Sequence, residues 1–141
     1  VVIVQSYTPD NFALTAAAHH DYQSFFEMEI RMREMMEYPP FSDLIFVEFT
    51  SADEDEAASA AEKCRLFLTR CRIERNGEHI FSPRVSSNFK GKDSFRYYIM
   101  IKCPKGLRNK YVYYISRFAD QIAAEKNGCS VTIDVNPYST F

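Results

Sequence analysis

The chain has 141 residues, an ordinary apolar content of 46% and a high aromatic content of 15% that comes from Phe and Tyr alone. This length predicts one domain with an additional segment, and the composition is sufficient for a hydrophobic core. The formal net charge of −2 argues against a uniformly basic nucleic-acid-binding protein.

Positive charge is concentrated in one part of this acidic chain. Between Arg84 and Lys110 there are eight basic residues and one acid, Asp93, whereas Asp53–Glu56 is the densest acidic segment. A basic stripe of this kind indicates a localised contact with an anionic partner. The basic residues are Arg84, Lys90, Lys92, Arg96, Lys102, Lys105, Arg108 and Lys110.

The four cysteines, Cys64, Cys71, Cys103 and Cys129, form no CxxC pair and have no histidine at zinc-finger spacing. We therefore expect small buried apolar side chains in a reducing compartment, and no metal site. The sequence has no signal peptide and no apolar run of about 18 residues, which predicts a cytoplasmic protein without a membrane contact.

The first 41 residues are expected to form a strand and two helices. The opening VVIVQSY is typical of a buried parallel strand cut out of a longer polypeptide. Thr8 or Asp10 is the expected cap of a short helix that runs to about Ala18. Asp21 is the expected cap of a second helix, which must stop near Tyr38 because two prolines follow.

The remaining residues, 42–141, alternate between strand and helix patterns. Strands are predicted at Leu44–Phe49, Glu78–Ser82, Phe95–Lys102 and Cys129–Asn136. The acidic segment Ala52–Asp55 is expected to form the first turn of one helix. A second begins near Leu107 and ends at an Asn127-Gly128 cap, and Pro83–Asp93 is expected to be a polar, basic loop. The order βαββαβ predicts an α+β, ferredoxin-like sandwich with an antiparallel sheet and both helices on one face.

The sequence contains no pattern that indicates catalysis. It has no Gly-rich phosphate loop, no nucleophile elbow and no third ligand near the adjacent His19 and His20. The glutamates of the second helix have basic partners at helical spacing, which favours a solvated face over acid–base chemistry. The chain itself is therefore predicted not to be an enzyme.

The basic stripe is the strongest functional pattern. In the loop, Arg84, Lys90 and Lys92 accompany Ser, Asn and Phe residues, a mixture that can follow a phosphate backbone while a ring stacks on a base. On the third strand, Arg96 and Lys102 share one face with Tyr98 and Met100. A plain solvated face is the alternative that these residues leave open.

Several motifs together resemble a known family. Glu29 and Arg33 precede YPPF (residues 38–41), and this string follows VIVQSYTPDNFAL and HDYQSFF. An Arg-Tyr strand at 95–101 and the ending IDVNPYS at 133–139 come later, in the order typical of the family. Across essentially the whole chain, these motifs resemble the C-terminal part of primosomal protein N′ (PriA), the family of bacterial replication-restart DNA helicases.

The resemblance implies a division of the chain at residue 41. Residues 1–41 would be the end of the second helicase lobe with linking helices, and 42–141 a C-terminal ferredoxin-like domain. The family's motor is an ATP- and magnesium-dependent 3′ to 5′ helicase with a zinc site, whose motifs are not in this chain. No cofactor is therefore expected in this fragment.

The resemblance also implies partners: forked or single-stranded DNA, the acidic, hydrophobic tail of single-stranded DNA-binding protein, and the helicase core of the same polypeptide. The alternative is a ferredoxin-like regulatory or dimerisation domain, or a structural brace, without nucleic-acid contact. The expected DNA-binding residues are Arg84, Lys90, Lys92, Arg96 and Lys102. The expected protein-binding residues, in CPKGLRNKY, are Lys105, Leu107, Arg108, Lys110 and Tyr111.

Overall fold

The structure, a computed structural model, describes residues 2–71, 73, 80–86, 94–125 and 128–137. Contacts between Cα atoms divide the chain into two compact units, Val1–Glu37 and Tyr38–Phe141. The first unit ends four residues before the boundary expected at residue 41, so the contacts of the YPPF segment are made within the second unit. The domain assignment itself remains a prediction.

The first unit contains two helices, α1 (Phe12–Ala18) and α2 (Tyr22–Met35). The Asp21 side chain caps α2 as predicted, accepting a hydrogen bond from the Ser24 N–H at 3.0 Å. The predicted caps of α1 were wrong, because the Asn11 side chain accepts from the Ala13 N–H at 2.9 Å. The helix α2 ends at Met35, and Glu37 follows in a left-handed conformation with φ of 52°, before the two prolines.

The predicted opening strand is not formed. Residues 2–7 have no strand hydrogen bonds, and Val2 and Ile3 are 90% and 89% exposed. A parallel strand exists only through pairing with a neighbouring strand, and no described residue pairs with this segment. An apolar run indicates that a segment is buried. It does not identify the neighbouring strand with which the segment would pair.

The second unit contains the predicted α+β sandwich. Its strands are β1 (Ser42–Ser51), β2 (Arg84–Val85), β3 (Phe95–Pro104) and β4 (Ser130–Val135). They form one sheet in the order β2-β3-β1-β4, with antiparallel pairing throughout. This is the arrangement expected for a βαββαβ chain of the ferredoxin-like type.

Two helices connect the strands, α3 (Glu54–Arg70) and α4 (Arg108–Ala124). The acidic start of α3 is as predicted, and the Asp53 side chain caps it by accepting from the N–H groups of Asp55 and Glu56. The helix α4 ends at Ala124, before the predicted cap; Asn127 lies outside the described residues, and Gly128 has a φ of 61°.

The second strand differs from its prediction. Within Glu78–Ser82, residues 78 and 79 lie outside the described part, and Ile80 forms only an isolated bridge with Ile101. The paired residues are instead Arg84 and Val85, inside the segment predicted as a loop. Pro83 has no N–H to donate, so the ladder cannot continue from Ile80 to Arg84 without interruption.

The core lies between the helices and one face of the sheet. Alternate residues of β1, namely Ile45, Val47 and Phe49, are fully buried and face the apolar stripes of α3 and α4. The ring of Phe118 contacts Phe49 edge to face, with centroids 6.5 Å apart. On the opposite face of the sheet, against which no described helix of this unit packs, lie Arg84, Arg96 and Lys102.

No helix in the described part of the chain is both long and apolar enough to cross a membrane.

Candidate functional site

The helix-free face of the sheet brings together three of the residues predicted to bind DNA. Arg84 of β2 pairs directly with Tyr98 of β3, and Tyr98 pairs with Glu48 of β1, so the three side chains form one row. Alternation along β3 places Arg96 and Lys102 on the same face as Tyr98. The predicted contacts Lys90 and Lys92 lie outside the described residues.

Arg96 is held by an acidic neighbour on this face. Its Nη1 lies 3.2 Å from Oε1 of Glu48, and the two side chains are 32% and 20% exposed. The carboxylate offsets the guanidinium charge at short range and orients it along the sheet. A phosphate that approaches Arg96 therefore also meets the negative charge of Glu48.

Lys102 is held by aromatic rings. Its Nζ lies 4.4 Å from the ring centroid of Tyr38 and 5.8 Å from that of Phe81. Both distances are within the range of a cation–π attraction. Tyr38 is the first residue of the YPPF segment, so Lys102 stabilises the position of that segment next to β3.

An aromatic pair lies on the same face. The rings of Phe46 and Tyr98 are 5.7 Å apart, but Phe46 is only 5% exposed. Tyr98 is half-buried. Of this pair, Tyr98 is consequently the ring with more area for stacking on a base.

A second basic group surrounds the beginning of α4. Lys105, Arg108 and Lys110 are exposed, and Leu107 is half-buried at the N-cap position; these four residues are called the α4 cluster. Gly106 has a φ of 90°, a conformation that favours glycine, and it turns the chain from β3 into the helix. The first turn of α4 itself supplies no acidic residue and no side-chain cap to offset the positive end of the helix.

Tyr111, one of the predicted protein-binding residues, is buried in this structure. It is 1% exposed and belongs to the apolar stripe of α4 with Ile115, Phe118 and Ile122. Residues three or four positions apart share one face of a helix, so Tyr111 lies on the core-facing side of α4, whereas Arg108 and Lys110 are exposed. In this structure its side chain is part of the core beneath the α4 cluster.

Asp43 and Asn136 adjoin the α4 cluster, and no sequence motif pointed to them as site residues. Asp43 Oδ1 lies 3.9 Å from Arg108 Nη1 and accepts a hydrogen bond of 2.8 Å from Asn136 Nδ2. Asn136 has a φ of 53°, and its side-chain oxygen and backbone N–H bond the backbone of Leu44, each at 2.8 Å. The available signal was that the predicted strand Cys129–Asn136 ends in an Asn, which tolerates this left-handed conformation.

The burial predicted for the cysteines is confirmed for Cys64 and Cys103, whereas Cys71 and Cys129 are only partly buried. All four are free thiols, and Cys64 and Cys103 are fully buried. Burial, with a smaller contribution from Cys71, raises the pKa of the Cys64 thiol to about 12. Burial also raises the pKa values of Cys71 and Cys129, so none of these three is an activated nucleophile.

A surface depression at the start of α3 has the opposite charge. Asp53, Asp55 and Glu56 line it together with Lys63 and Cys129. This acidic depression is unsuited to phosphates or acidic peptides and is distinct from the two basic groups.

Comparison with known proteins identifies related sequences. Residues 34–138, more than half of the chain, match the family model described as "Primosomal protein N C-terminal domain". The chain is 30% identical to "Replication restart protein PriA" of Bacillus subtilis (strain 168), over 97% of this chain and 17% of that protein. It is also 30% identical to the proteins of the same name from Chlamydia pneumoniae and Treponema pallidum (strain Nichols), over 18% and 21% of their lengths.

The chain thus spans about a fifth of the length of the curated relatives it matches. Among solved structures, the de novo designed protein Foldit4 is similar over 70% of this chain and 99% of its own, with a TM-score of 0.46 and 9% identity. The assignment of the fold rests on the strand order and pairing of the sheet.

Proposed function

This chain belongs to the family of the primosomal protein N C-terminal domain, found in replication restart proteins, and we propose that it is a binding module of such a protein. In this proposal it helps to hold forked or single-stranded DNA and docks the acidic tail of single-stranded DNA-binding protein. ATP hydrolysis, 3′ to 5′ unwinding, magnesium and zinc belong to other parts of the parent protein. The place of action is the cytoplasm.

The observation that carries the proposal is the exposed positive charge at the start of α4. Between Arg96 and Lys110 the sequence has five basic residues and no acid, and Lys105, Arg108 and Lys110 are exposed. A tail that ends in a carboxylate needs cations, and its aromatic residue needs an apolar neighbour. Leu107, half-buried between these cations, is the neighbour that the α4 cluster offers.

The sheet face is the proposed site for DNA. Arg84 is exposed on the short edge strand β2, whereas Arg96 and Lys102 interact with Glu48 and with aromatic rings. We therefore assign direct phosphate contact first to Arg84 and to Lys90 and Lys92, which follow it in the sequence. Arg96 and Lys102 support the charge of the face from within the sheet.

The test is fluorescence-anisotropy binding of a forked DNA to this chain across a range of salt concentrations. Log affinity should fall linearly with log salt, with a slope of about −0.9 for each phosphate neutralised. Arg84→Ala should make this slope less negative by about 1. Salt-insensitive self-association without DNA binding would instead support the dimerisation alternative.

A parallel titration with a tail peptide tests the second partner. The peptide is acidic and ends in Phe with a free carboxylate. Lys105→Ala/Arg108→Ala should weaken its binding and leave the DNA salt slope of the sheet face unchanged. Equal peptide affinity for the wild type and this double variant contradicts the assignment of the α4 cluster.

The exposed apolar residues of the first unit favour a second role, as a brace on the helicase core. Val2, Ile3, Tyr22 and Met35 are each between 71% and 90% exposed. Large apolar side chains exposed in this way offer surface that a packed partner could cover. Tyr22→Ser/Met35→Ser in the full-length parent should leave the second unit folded but accelerate proteolysis between the core and this chain. Unchanged proteolysis would exclude the brace.

A further inference from the structure

Asp43 lies beside the α4 cluster but belongs to a different element, β1. Its carboxylate is 3.9 Å from the Arg108 guanidinium, and the two side chains are 20% and 50% exposed. The hydrogen bond of 2.8 Å from Asn136 fixes the carboxylate, and Asn136 in turn is fixed by two bonds to the backbone of Leu44. The negative charge is therefore built into the corner where β1, β4 and α4 meet.

We infer that Asp43 is an internal counter-charge that competes with ligand carboxylates for Arg108 and so limits the affinity of the α4 cluster for acidic tails. The inference rests on the proposed docking of a carboxylate-ended tail. A separation of 3.9 Å is longer than a hydrogen bond. Asp43 thus attracts the guanidinium by charge, while half of the Arg108 side chain remains exposed to solvent and to a ligand.

The same geometry confers selectivity. A carboxylate bound at Arg108 lies within a few ångströms of Asp43, and the two like charges repel each other. This repulsion weakens the binding of every anion that is held by charge alone. A ligand with an aromatic or aliphatic group recovers affinity through contact with Leu107, whereas a small anion does not. Asp43 therefore determines specificity without being a ligand contact itself.

D43N is the appropriate variant, because an Asn side-chain oxygen still accepts the bond from Asn136 while the charge is removed. With an acidic peptide that ends in Phe and a free carboxylate, D43N should bind about 1.5-fold to 5-fold more tightly at low salt, the size of an exposed charge interaction. High salt should reduce the difference, because the Debye length falls to about 3 Å at 1 M.

E48Q is the matched control. It removes the same charge from the same strand, five residues away, which is about 16 Å along β1 and beyond the Debye length at 0.1 M salt. Its peptide affinity should equal that of the wild type. Thermal unfolding of both variants verifies that the fold is retained.

The outcomes separate this inference from the proposed function. Wild-type binding that R108A weakens, together with no gain in D43N, overturns the inference and leaves the docking proposal intact. Wild-type binding that R108A does not weaken overturns both, as does an absence of binding to the wild type and D43N alike. Binding to D43N alone supports the inference and shows that the native cluster is closed to this peptide.

Discussion

Phe49→Ala is the substitution with the largest calculable consequence for the core. Phe49 is fully buried near the C-terminal end of β1, and its ring contacts Phe118 edge to face at 6.5 Å. Phe118 in turn lies 5.6 Å from Phe67, so the three rings connect β1 with both helices. Loss of this ring removes buried apolar area and an aromatic contact, and it leaves a cavity in the core.

The expected cost is about 3–5 kcal/mol of unfolding free energy. This is a large fraction of the roughly 5–15 kcal/mol that stabilises a typical domain. The assay is urea unfolding followed by circular dichroism, in which the midpoint should shift while the slope stays constant.

Phe95→Ala is the control for the loss of a ring from the sheet. Phe95 begins β3 and is 43% exposed, so its removal should cost less than about 1 kcal/mol. A Phe49→Ala variant no less stable than Phe95→Ala would refute the placement of the core between the helices and this face of the sheet.

Three further predictions concern stability and reactivity. Asn136→Gly keeps access to positive φ but removes the side-chain bonds to Leu44 and Asp43, so we expect the unfolding free energy measured in urea to fall by about 1–2 kcal/mol. Asn136→Ala should lower the unfolding free energy further, because alanine is strained at positive φ. A smaller loss for Asn136→Ala than for Asn136→Gly would contradict the role of the left-handed backbone. Native Cys64 should resist thiol reagents at pH 8 and react on unfolding. Because its folded pKa is raised to about 12, the stability that it contributes below pH 9 should decline between pH 9 and 12. Lys102→Met removes the cation beside the Tyr38 ring and should lower the unfolding free energy by about 0.5–2 kcal/mol in the same urea assay. An unchanged unfolding free energy would show that the rings do not stabilise the Lys102 ammonium group.

The order of elements in the second unit was predictable because each segment carries its own period. The alternation of β4 and the 3.6-residue period of α4 are local, and both segments formed close to their predicted bounds. The βαββαβ order then limits the sheet topology to few possibilities. The family motifs likewise indicated the family that the comparisons show.

The predictions that were wrong depended on partners distant in sequence. The opening VVIVQSY has the apolar run of a strand but no described strand to pair with. The position of the second strand depends on where Pro83 interrupts the hydrogen bonds with β3. A pattern of strand propensities does not specify which residues pair. The burial of Tyr111 follows from its helical phase, and its role as a binding residue stays a prediction.

The charge environment of the candidate site also could not be predicted from the sequence. Glu48 meets Arg96, and Asp43 meets both Arg108 and Asn136, only because β1 pairs with β3 on one side and β4 on the other. Counting charges along the chain identified the basic stripe but could not assign its counter-ions. The basic side chains of the stripe therefore differ in how freely they can bind an anionic partner, and the sequence did not show this difference.

The central position of β1 has a consequence for how the domain is made. A ribosome produces β1 before either of its neighbours, and its two edges are completed only by β3 and, last of all, β4. Until then β1 is a nascent strand with unsatisfied backbone groups and a strongly apolar face, the features that promote misassembly. The pairings that complete the sheet are long-range, and such topologies fold slowly. We therefore expect polypeptides truncated before β4 to require chaperones and to be degraded, even though every residue of the two basic groups would be present in them.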